Sequence, residues 1–497
     1  MSRRYRGWAF LTLALIVALS GVAQSADNGE AAIGPNFQIS FMGGTDLAGA
    51  DQAEQPAAAC SSTDTSCLVV WRGEEDVLPL VDDEHEIFGA VVTPGVAVPA
   101  DIRFSAQGPY GDTSFYVFDP AVAHNSIDDE YLVVWSGADN NEKDDLDIYG
   151  ARYIPATGSV TPSVEISDSP SQPTAGWDGS DTDYPDVAHN STANEYLVVY
   201  GLRDHDAGTG WYQREIFGRF VGNAGATAGS QIRISTMGPE PPDADARKYG
   251  PEMAAVAYNP TGDTYLVTWF GSTDVGSLHE WEEEIWGQLV DGTTGALNGG
   301  HIRISTVGTD GDPSQDAKFP DVAASPDSGE FLVVWGDNRN GSGQEDIWGQ
   351  RVDSTTGALR GSNFEISQTL PATGAWSARI PTITYNTRDS EYLVVWQAQT
   401  SELPTLNPQA FGQRLDPYGG EMGTNDFRIS RMIPDSDPAA TMYEIEELDV
   451  AFSAAAGVYL PVWTGHHPPS PGAMSITREI FGQWLMPRKL ENFLADR

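Results

Sequence analysis

The 497-residue sequence is poor in basic residues. Lysine and arginine number 27, against 71 aspartates and glutamates, so the formal net charge is −44. A protein with that charge repels the phosphates of nucleic acids and the anionic lipids of membranes, and we expect neither as a partner. The charge suits cations, cationic partners or a salty exterior, and it also suits solubility alone.

Cysteine is scarce too, since the chain contains only Cys60 and Cys67. They flank "SSTDTS", directly before "LVVW". If that segment is a hairpin turn, the two residues lie opposite each other on adjacent strands, which predicts a disulfide in an exported protein. No HExxH, CxxC or nucleophile-elbow motif is present, so the sequence gives little support for a transition-metal or Ser–His–Asp centre.

A long apolar run occurs once, from Trp8 to Val22, after Arg3, Arg4 and Arg6. The small residues of "AQSA" follow it, and the whole pattern predicts a cleaved signal peptide over residues 1–25. The run is short for a membrane-spanning helix, and no second run follows. We therefore expect a secreted, periplasmic or cell-surface protein that has no integral membrane segment after cleavage.

One hydrophobic motif is abundant. Five close copies read "EYLVVW", "EYLVVY", "TYLVTW", "EFLVVW" and "EYLVVW", and weaker copies end at Trp71 and Trp463. Aligning them defines seven repeats, each with four strand-like segments separated by turn residues. In the fifth repeat these segments are "PDVAA", "EFLVVW", "DIWGQRV" and "NFEIS", which we name strands A to D.

The repeats predict an all-β fold, a seven-bladed β-propeller of four-stranded antiparallel blades. A run such as "LVV", without polar alternation, indicates a strand covered on both faces, and radial stacking of blades provides that cover. The first D-like segment, "NFQIS", precedes the first A strand, and nothing similar follows "REIFGQWL". An N-terminal strand should therefore complete the last blade and close the ring. We assign residues 26–486 to the propeller and 487–497 to a C-terminal tail that could form a short amphipathic helix.

The repeat "EYLVVW…DIWGQRVD…G" resembles those of secreted bacterial β-propeller proteins. It is also similar to the TolB-type WD40-like repeat, which carries "SDRDGNxDIY", and the best local match is "GDNRNGSGQEDIWGQ" at Gly336–Gln350. The resemblance implies the propeller fold over nearly the whole mature chain. It does not imply a function, because such propellers bind many ligands and catalyse several reactions.

The two faces of the predicted ring differ in their loops. The A–B loops, such as "HNSIDD", and the C–D loops, such as "DGTTGALNGG", are short and alike. The D–A and B–C loops differ in length and chemistry, and we call the face that carries them the variable face. Divergent loops on a rigid scaffold are where binding sites usually lie, so we place the functional site there.

Several side chains of the variable face suit a sugar-binding surface, in which flat aromatic rings stack on sugar rings and acids bind hydroxyl groups. One B–C loop, "GLRDHDAGTGWYQR", combines acid, base and stacking groups. The alternative is that these aromatic residues anchor long loops. The candidate ligand-binding residues are Asp204, His205, Asp206, Trp211, Tyr212, His279, Trp281, Trp177 and Trp376.

Acidic residues of the variable face are weak candidates for metal ligands, with calcium as the cation. Converging carboxylates suit calcium, and two of them could instead serve as a general acid and base. The spacing of the loop clusters does not match an EF-hand, which favours solvated acidic loops. For the strand A acids, the alternative is turn capping or hydrogen bonding between blades. They comprise two loop clusters, Asp82, Asp83, Glu84 and Asp139, Asp144, Asp145, and four acids at the start of strand A, Asp186, Glu252, Asp321 and Asp449.

A further acid recurs just before the strand C aromatic residue, and its repetition around the ring favours a structural role. The copies are Glu86, Asp147, Glu215, Glu284, Asp346 and Glu479, whereas the sixth repeat has Gln409 and Ala410.

Three functions fit the sequence. The first is an exported, non-catalytic propeller that binds a polysaccharide, a cell-surface component or a protein through the variable face. The second is a carbohydrate-active enzyme, a polysaccharide lyase or glycoside hydrolase, with its site at the channel mouth. The third is a structural surface or matrix protein. The lack of a catalytic signature favours a protein that is not an enzyme.

Overall fold

The repeated strands form a closed ring of seven antiparallel sheets, or blades, in the computed structural model. The structure describes residues 32–42, 52–74, 84–138, 146–167, 182–206, 211–237, 250–273, 281–341, 344–368, 378–399, 408–431, 444–467 and 477–487. The predicted signal peptide and nearly all of the C-terminal tail lie outside these ranges. No helix in the described ranges is long and apolar enough to cross a membrane.

Blades 1 to 3 are built from consecutive strands. Blade 1 contains β2 (Ala53–Cys60), β3 (Cys67–Glu74), β4 (His85–Val92) and β5 (Ile102–Arg103). Blade 2 contains β6 (Val117–Asn125), β7 (Glu130–Ala138), β8 (Leu146–Ile154), β9 (Ser159–Val160) and β10 (Val164–Glu165). Blade 3 contains β11 (Thr182–Asn190), β12 (Glu195–Asp206), β13 (Trp211–Gly222) and β14 (Thr227–Arg233).

Blades 4 to 6 repeat the order. Blade 4 contains β15 (Glu252–Asn259), β16 (Thr264–Gly271), β17 (Glu284–Asp291) and β18 (Leu297–Arg303). Blade 5 contains β19 (Ala317–Ser325), β20 (Glu330–Asp337), β21 (Asp346–Asp353) and β22 (Leu359–Glu365). Blade 6 contains β23 (Ala378–Asn386), β24 (Glu391–Ala398), β25 (Gln409–Leu415) and β26 (Glu421–Arg428).

Blade 7 joins the two ends of the chain. It contains β27 (Ile445–Ser453), β28 (Val458–His467), β29 (Thr477–Leu485) and, as its outer strand, β1 (Ala32–Gln38). In β1, Phe37 pairs with Gly482, and its ring stacks 5.9 Å from that of Trp484. The predicted closure by an N-terminal strand is therefore confirmed.

The core lies between the blades. The second strand of each blade is covered on both faces, as its unbroken apolar sequence predicts. The first, innermost strand of each blade contacts the innermost strands of both neighbours, so these strands line a central channel. The repeat tryptophans of the second strands are fully buried: Trp71, Trp135, Trp269, Trp335, Trp396 and Trp463.

Two further sequence features have structural roles. Cys60 pairs with Cys67 across β2 and β3, and they form the predicted disulfide. The recurring acid before strand C accepts a hydrogen bond from a serine just beyond strand D. In blade 4, the buried Glu284 accepts from the Ser305 hydroxyl, which in turn accepts from a backbone N–H 2.7 Å away. The same acid–serine pairs form in four more blades: Glu86–Ser105, Asp147–Ser167, Glu215–Ser235 and Glu479–Ser40.

Candidate functional site at the channel mouth

A bulge interrupts each innermost strand near the variable face. In blade 4, Glu252 pairs with Phe270 and Ala255 with Thr268, so two residues lie opposite one residue of the second strand. The first of the two, Met253, has a positive φ. Six of the seven equivalent residues have φ between 47° and 56°, although none is glycine. We call these residues the mouth ring: Gln55, Asp119, Tyr184, Met253, Phe319, Ile380 and Glu447.

In three of the blades, the N–H group of the mouth-ring residue at this bulge reaches a side chain of the preceding blade. The Gln55 N–H donates to the Glu447 carboxylate at 2.7 Å, and the Asp119 N–H donates to the Gln55 side-chain oxygen at 3.0 Å. The Tyr184 N–H donates to Asp119 in turn. Side chains of blades 7, 1 and 2 thus join four consecutive blades around the channel mouth.

The mouth-ring side chains of blades 7, 1 and 2 form a polar half of the ring, in which acidic groups lie near the guanidinium of Arg72. Arg72 donates to Glu54 at 3.1 Å and lies close enough to Asp119 and Glu447 for electrostatic interaction with both. Burial, followed by the charge of Glu447, raises the pKa of Asp119 to about 6. Burial also raises the pKa of Glu447 and lowers that of Arg72. Burial therefore disfavours the charged forms of these groups, and polar ligand groups interact strongly in such a desolvated setting.

An aromatic row extends outward from this cluster. The Arg72 guanidinium carbon lies 4.8 Å from the centroid of the Phe118 ring, and Phe118 stacks on Tyr116 with the centroids 6.0 Å apart. The Tyr116 side chain is 45% exposed. A flat, accessible ring therefore lies one aromatic side chain away from the charged groups of the mouth.

Exposed aromatic side chains concentrate on the variable face. In the described part of the chain, five aromatic residues are exposed, and four lie in D–A or B–C loops. The fifth, Tyr418, lies in a C–D loop on the opposite face. The four on the variable face are Phe41, Tyr110, Tyr116 and Trp281.

The other half of the mouth ring is apolar. Met253, Phe319 and Ile380 occupy blades 4, 5 and 6, and each is half-buried. Phe319 packs against Phe270 of the preceding blade, with the ring centroids 6.0 Å apart. The channel mouth therefore offers hydrogen-bonding groups on one side and apolar groups on the other.

A second tier lies just below the mouth. Asp186 accepts hydrogen bonds from the N–H groups of Val187 and, in the next blade, Val256, each at 2.7 Å. Asp321 binds Val322 and Ile383 in the same way, at 2.7 and 2.8 Å. Asp449 binds Val450 and Ala58, each at 2.7 Å. Three carboxylates thus serve the channel-facing N–H groups of six blades, and blade 2 is left over.

Burial raises the pKa of each second-tier carboxyl, and neighbouring carboxyls add to the effect for Asp186 and Asp321. The pKa is about 7 for Asp186 and about 7 for Asp321, and that of Asp449 is also raised. Because both oxygens of each carboxylate accept backbone hydrogen bonds, these residues connect adjacent blades. This supports the structural alternative for them, and calcium binding by them stays a prediction.

The remaining metal candidates are dispersed. Glu252 forms an ion pair with Arg214 at 3.2 Å, and the buried Glu84 accepts from the Gly111 N–H at 3.0 Å. Neither lies in a cluster of carboxylates that could enclose a cation in the described residues. The other loop candidates, Asp82, Asp83, Asp139, Asp144 and Asp145, lie outside the described ranges.

The predicted ligand-binding loop of blade 3 is a long hairpin. The sequence predicts a loop after "EYLVVY", whereas in the structure β12 and β13 continue as paired strands. Asp204 pairs with Gln213, His205 with Tyr212 and Asp206 with Trp211. Cross-strand hydrogen bonding extends this hairpin beyond the length of the other blades. Among the other candidates, Trp281 is 53% exposed on the variable face. Trp177, His279 and Trp376 lie outside the described ranges.

One mixed cluster was missed by the sequence analysis. Ligand atoms of Glu444, Glu446 and His466 in blade 7 lie within 4.8 Å of one another. However, Arg478 Nε lies 3.1 Å from the His466 ring and 3.3 Å from Glu446. A guanidinium therefore already supplies positive charge to this cluster, and the arrangement is explained without a metal ion.

The mouth ring was missed as well, although a signal for it exists. Proline is confined to edges and bulges of sheets because it lacks an N–H. Proline follows the mouth-ring residue in five of the seven innermost strands, at Pro56, Pro120, Pro185, Pro320 and Pro381. This recurrence predicts a bulge, and the residue before each proline then lies at the mouth.

Comparisons with known proteins give fold-level likenesses. No protein-family model and no curated protein matches the chain. The NanB sialidase from Streptococcus pneumoniae is 10% identical over 91% of this chain and 71% of that chain, with a TM-score of 0.46. A PL25 ulvan lyase is 9% identical over 87% and 94%, with a TM-score of 0.48. The β-propeller domain of the Trilobed protease from Pyrococcus furiosus is 9% identical over 88% and 94%, with a TM-score of 0.45. None of these values supports an inference about a ligand.

Proposed function

We propose that the protein is an exported, non-catalytic β-propeller that binds a polysaccharide at the channel mouth of its variable face. The observation that carries this proposal is the continuous row from Tyr116 through Phe118 to Arg72, Glu54 and Asp119. An exposed ring next to paired hydrogen-bonding groups suits a sugar, whose ring has an apolar face and a rim of hydroxyl groups.

Charge narrows the class of polysaccharide. The net charge of −44 opposes the approach of a polyanionic chain. The positive charge of Arg72 is already balanced by Glu54. We therefore expect the preferred polysaccharide to be uncharged.

The test is a pelleting assay of the mature protein with insoluble neutral polysaccharides. Tyr116→Ala should reduce retention about tenfold, because the exposed stacking surface is lost. Tyr418→Ala is the matched control, since Tyr418 is 67% exposed on the opposite face. Equal losses in both variants, or no retention of the wild-type protein by any polysaccharide, would contradict the proposal.

The second candidate, a carbohydrate-active enzyme, is favoured by one observation. Asp119, with a pKa of about 6, neighbours the buried carboxyl of Glu447, and a carboxyl that titrates near neutral pH suits general acid catalysis. Both groups already accept hydrogen bonds from mouth-ring N–H groups, which favours binding over catalysis. New reducing or unsaturated sugar ends in the same tubes, lost in Asp119→Asn, would establish the enzyme instead.

A further inference from the structure

Two D–A loops of the variable face are built in the same way. We call them the blade 1–2 loop, residues 104–116, and the blade 4–5 loop, residues 304–316. In both, a glycine with positive φ donates its N–H to a buried glutamate of a B–C loop, at 3.0 Å in the first and 2.7 Å in the second. The aspartate that directly follows this glycine accepts from a serine N–H at 3.1 Å in both loops. The equivalent residues are Gly111 and Gly311, Glu84 and Glu282, Asp112 and Asp312, and Ser114 and Ser314.

The side chains that the two loops present to solvent differ in kind. The blade 1–2 loop presents Tyr110, which is 62% exposed, and Tyr116. At the equivalent places the blade 4–5 loop has Asp310 and Asp316. A loop of this construction therefore folds without the tyrosines, so its own packing does not explain two exposed rings. Single exposed rings are common on protein surfaces, but two in one loop favour a binding role.

Tyr110 lies over a guanidinium group. The Arg103 guanidinium carbon is 5.3 Å from the centroid of the Tyr110 ring. A cation on one face of a ring fixes its orientation, and because most of the side chain is exposed, the other face remains accessible. In the blade 4–5 loop the equivalent arginine, Arg303, instead forms an ion pair with Asp310 at 2.9 Å. The arginine thus supports a carboxylate in one loop and an aromatic ring in the other.

Tyr116 differs from its counterpart in the same way. Its ring stacks on that of Phe118, with the centroids 6.0 Å apart. At the equivalent places of blade 5, Asp316 forms an ion pair with Lys318 at 3.6 Å. Tyr116 follows Tyr110 by six residues, so the two Cα atoms lie no more than about 22 Å apart. One oligosaccharide of several units can span that distance and contact both rings.

We infer that Tyr110 is a second stacking residue of the proposed polysaccharide site, so that the blade 1–2 loop binds at least two sugar units of one chain. This rests on the proposed function, since it extends the same site. The apolar face of one sugar packs on the Tyr116 ring, and that of another packs on the Tyr110 ring. Affinity should therefore increase with chain length until the chain reaches both rings.

The test measures how affinity depends on chain length. The probes are the oligosaccharides, from disaccharide to hexasaccharide, of each neutral polysaccharide that retains the protein, with cellulose, curdlan and mannan as the panel. They are titrated calorimetrically into the full mature protein. The hexasaccharide should bind about tenfold more tightly than the disaccharide, since only the longer chain contacts both rings.

Substitutions at Tyr110 connect the length dependence to its ring. Tyr110→Asp introduces the residue that the blade 4–5 loop has at this place, and the new carboxylate can pair with Arg103 as the equivalent residues do, so the variant should fold. It should bind the hexasaccharide no more than about twofold more tightly than the disaccharide. Tyr110→Phe keeps the ring and should keep the length dependence. Asp310→Ala, in the other loop, is the matched control and should change neither affinity.

Each outcome has a defined meaning. A length dependence that Tyr110→Asp leaves intact would overturn this inference, and so would equal affinity for the disaccharide and the hexasaccharide. Retention by a polysaccharide whose oligosaccharides do not bind would overturn it too. In these cases the proposed function still stands if Tyr116→Ala reduces retention. Absence of binding to any oligosaccharide, together with absence of retention by any polysaccharide, would overturn both proposals.

Discussion

At the scale of single residues, the channel is governed by carboxyls that burial makes hard to ionise. Asp186 and Asp321 each accept two backbone hydrogen bonds, which favour the ionised form, yet desolvation outweighs them and raises the pKa to about 7 in both. The unfolded chain keeps an ordinary aspartate pKa near 4. The folded state therefore binds protons that the unfolded state does not bind between about pH 4 and 7.

This difference predicts that acidification stabilises the protein. A folded-state pKa above the unfolded value costs stability at high pH, and the cost is relieved as pH falls through the folded pKa toward the unfolded one. The free energy of unfolding should thus increase from pH 8 to pH 5. Urea unfolding at several pH values gives the slope, and Asp321→Asn should reduce it by up to about one proton.

Asp353 provides the control for the pH experiment. Burial raises the pKa of Asp353, but hydrogen bonds from Thr356 and Arg360 outweigh burial and lower the pKa to about 2. Asp353→Asn should therefore leave the slope between pH 5 and 8 unchanged. A wild-type protein whose stability falls over this interval on acidification would show that other groups dominate the titration.

At the scale of the element, the acid–serine pair fixes the outer strand of a blade to the third strand. Glu284 accepts from Ser305 and also forms an ion pair with Arg303. In blade 6, Gln409 takes the same place and accepts from Ser430 at 2.9 Å and from Arg428 at 3.1 Å. The amide shows that the pair requires an acceptor oxygen more than a charge.

Blade 6 thereby predicts the result of a substitution in blade 4. Glu284→Gln should cost less than about 1 kcal/mol of unfolding free energy, because the acceptor oxygen remains. Glu284→Ala should cost about 3 kcal/mol, since it leaves the buried Ser305 hydroxyl without its acceptor and removes one of the carboxylates that Arg303 pairs with. Chemical denaturation compares the two variants, and equal costs would show that charge is what the pair needs.

At the scale of the whole molecule, ring closure depends on β1. The Phe37 ring stacks on Trp484 and packs against the core between blades 7 and 1, so Phe37→Ala should destabilise the protein by about 2 kcal/mol. Hydrogen exchange should show the loss first in β29, whose outer edge β1 covers. Phe41→Ala, four residues on and 57% exposed, should change neither measurement. An equal loss of protection in all seven blades would instead show that blade 7 does not open before the rest of the ring.

The sequence predicts the ring far better than the site. Strand sequences repeated seven times fix the blades, and the displaced "NFQIS" fixes the closure, because both follow from local pattern and the need to bury two faces. The mouth ring depends on bulges that bring distant repeats together, and no glycine marks its positive φ angles. Cys60 and Cys67 were paired from spacing alone, whereas the link between Gln55 and Glu447 joins residues far apart in the chain.

The ring has an odd number of blades, whereas each carboxylate of the second tier joins two blades. Asp186, Asp321 and Asp449 each accept from one N–H group in their own blade and from one in the next. The three carboxylates therefore serve six blades, and the seventh, blade 2, is served by none of them. The equivalent residue of blade 2 is Val122, which lies beneath Asp119 and beside the row that begins at Tyr116. A ring of six or eight blades built this way would have no odd member. Parity alone thus makes one blade of a repetitive scaffold different from all the others, and that blade carries Tyr116, Phe118 and Asp119.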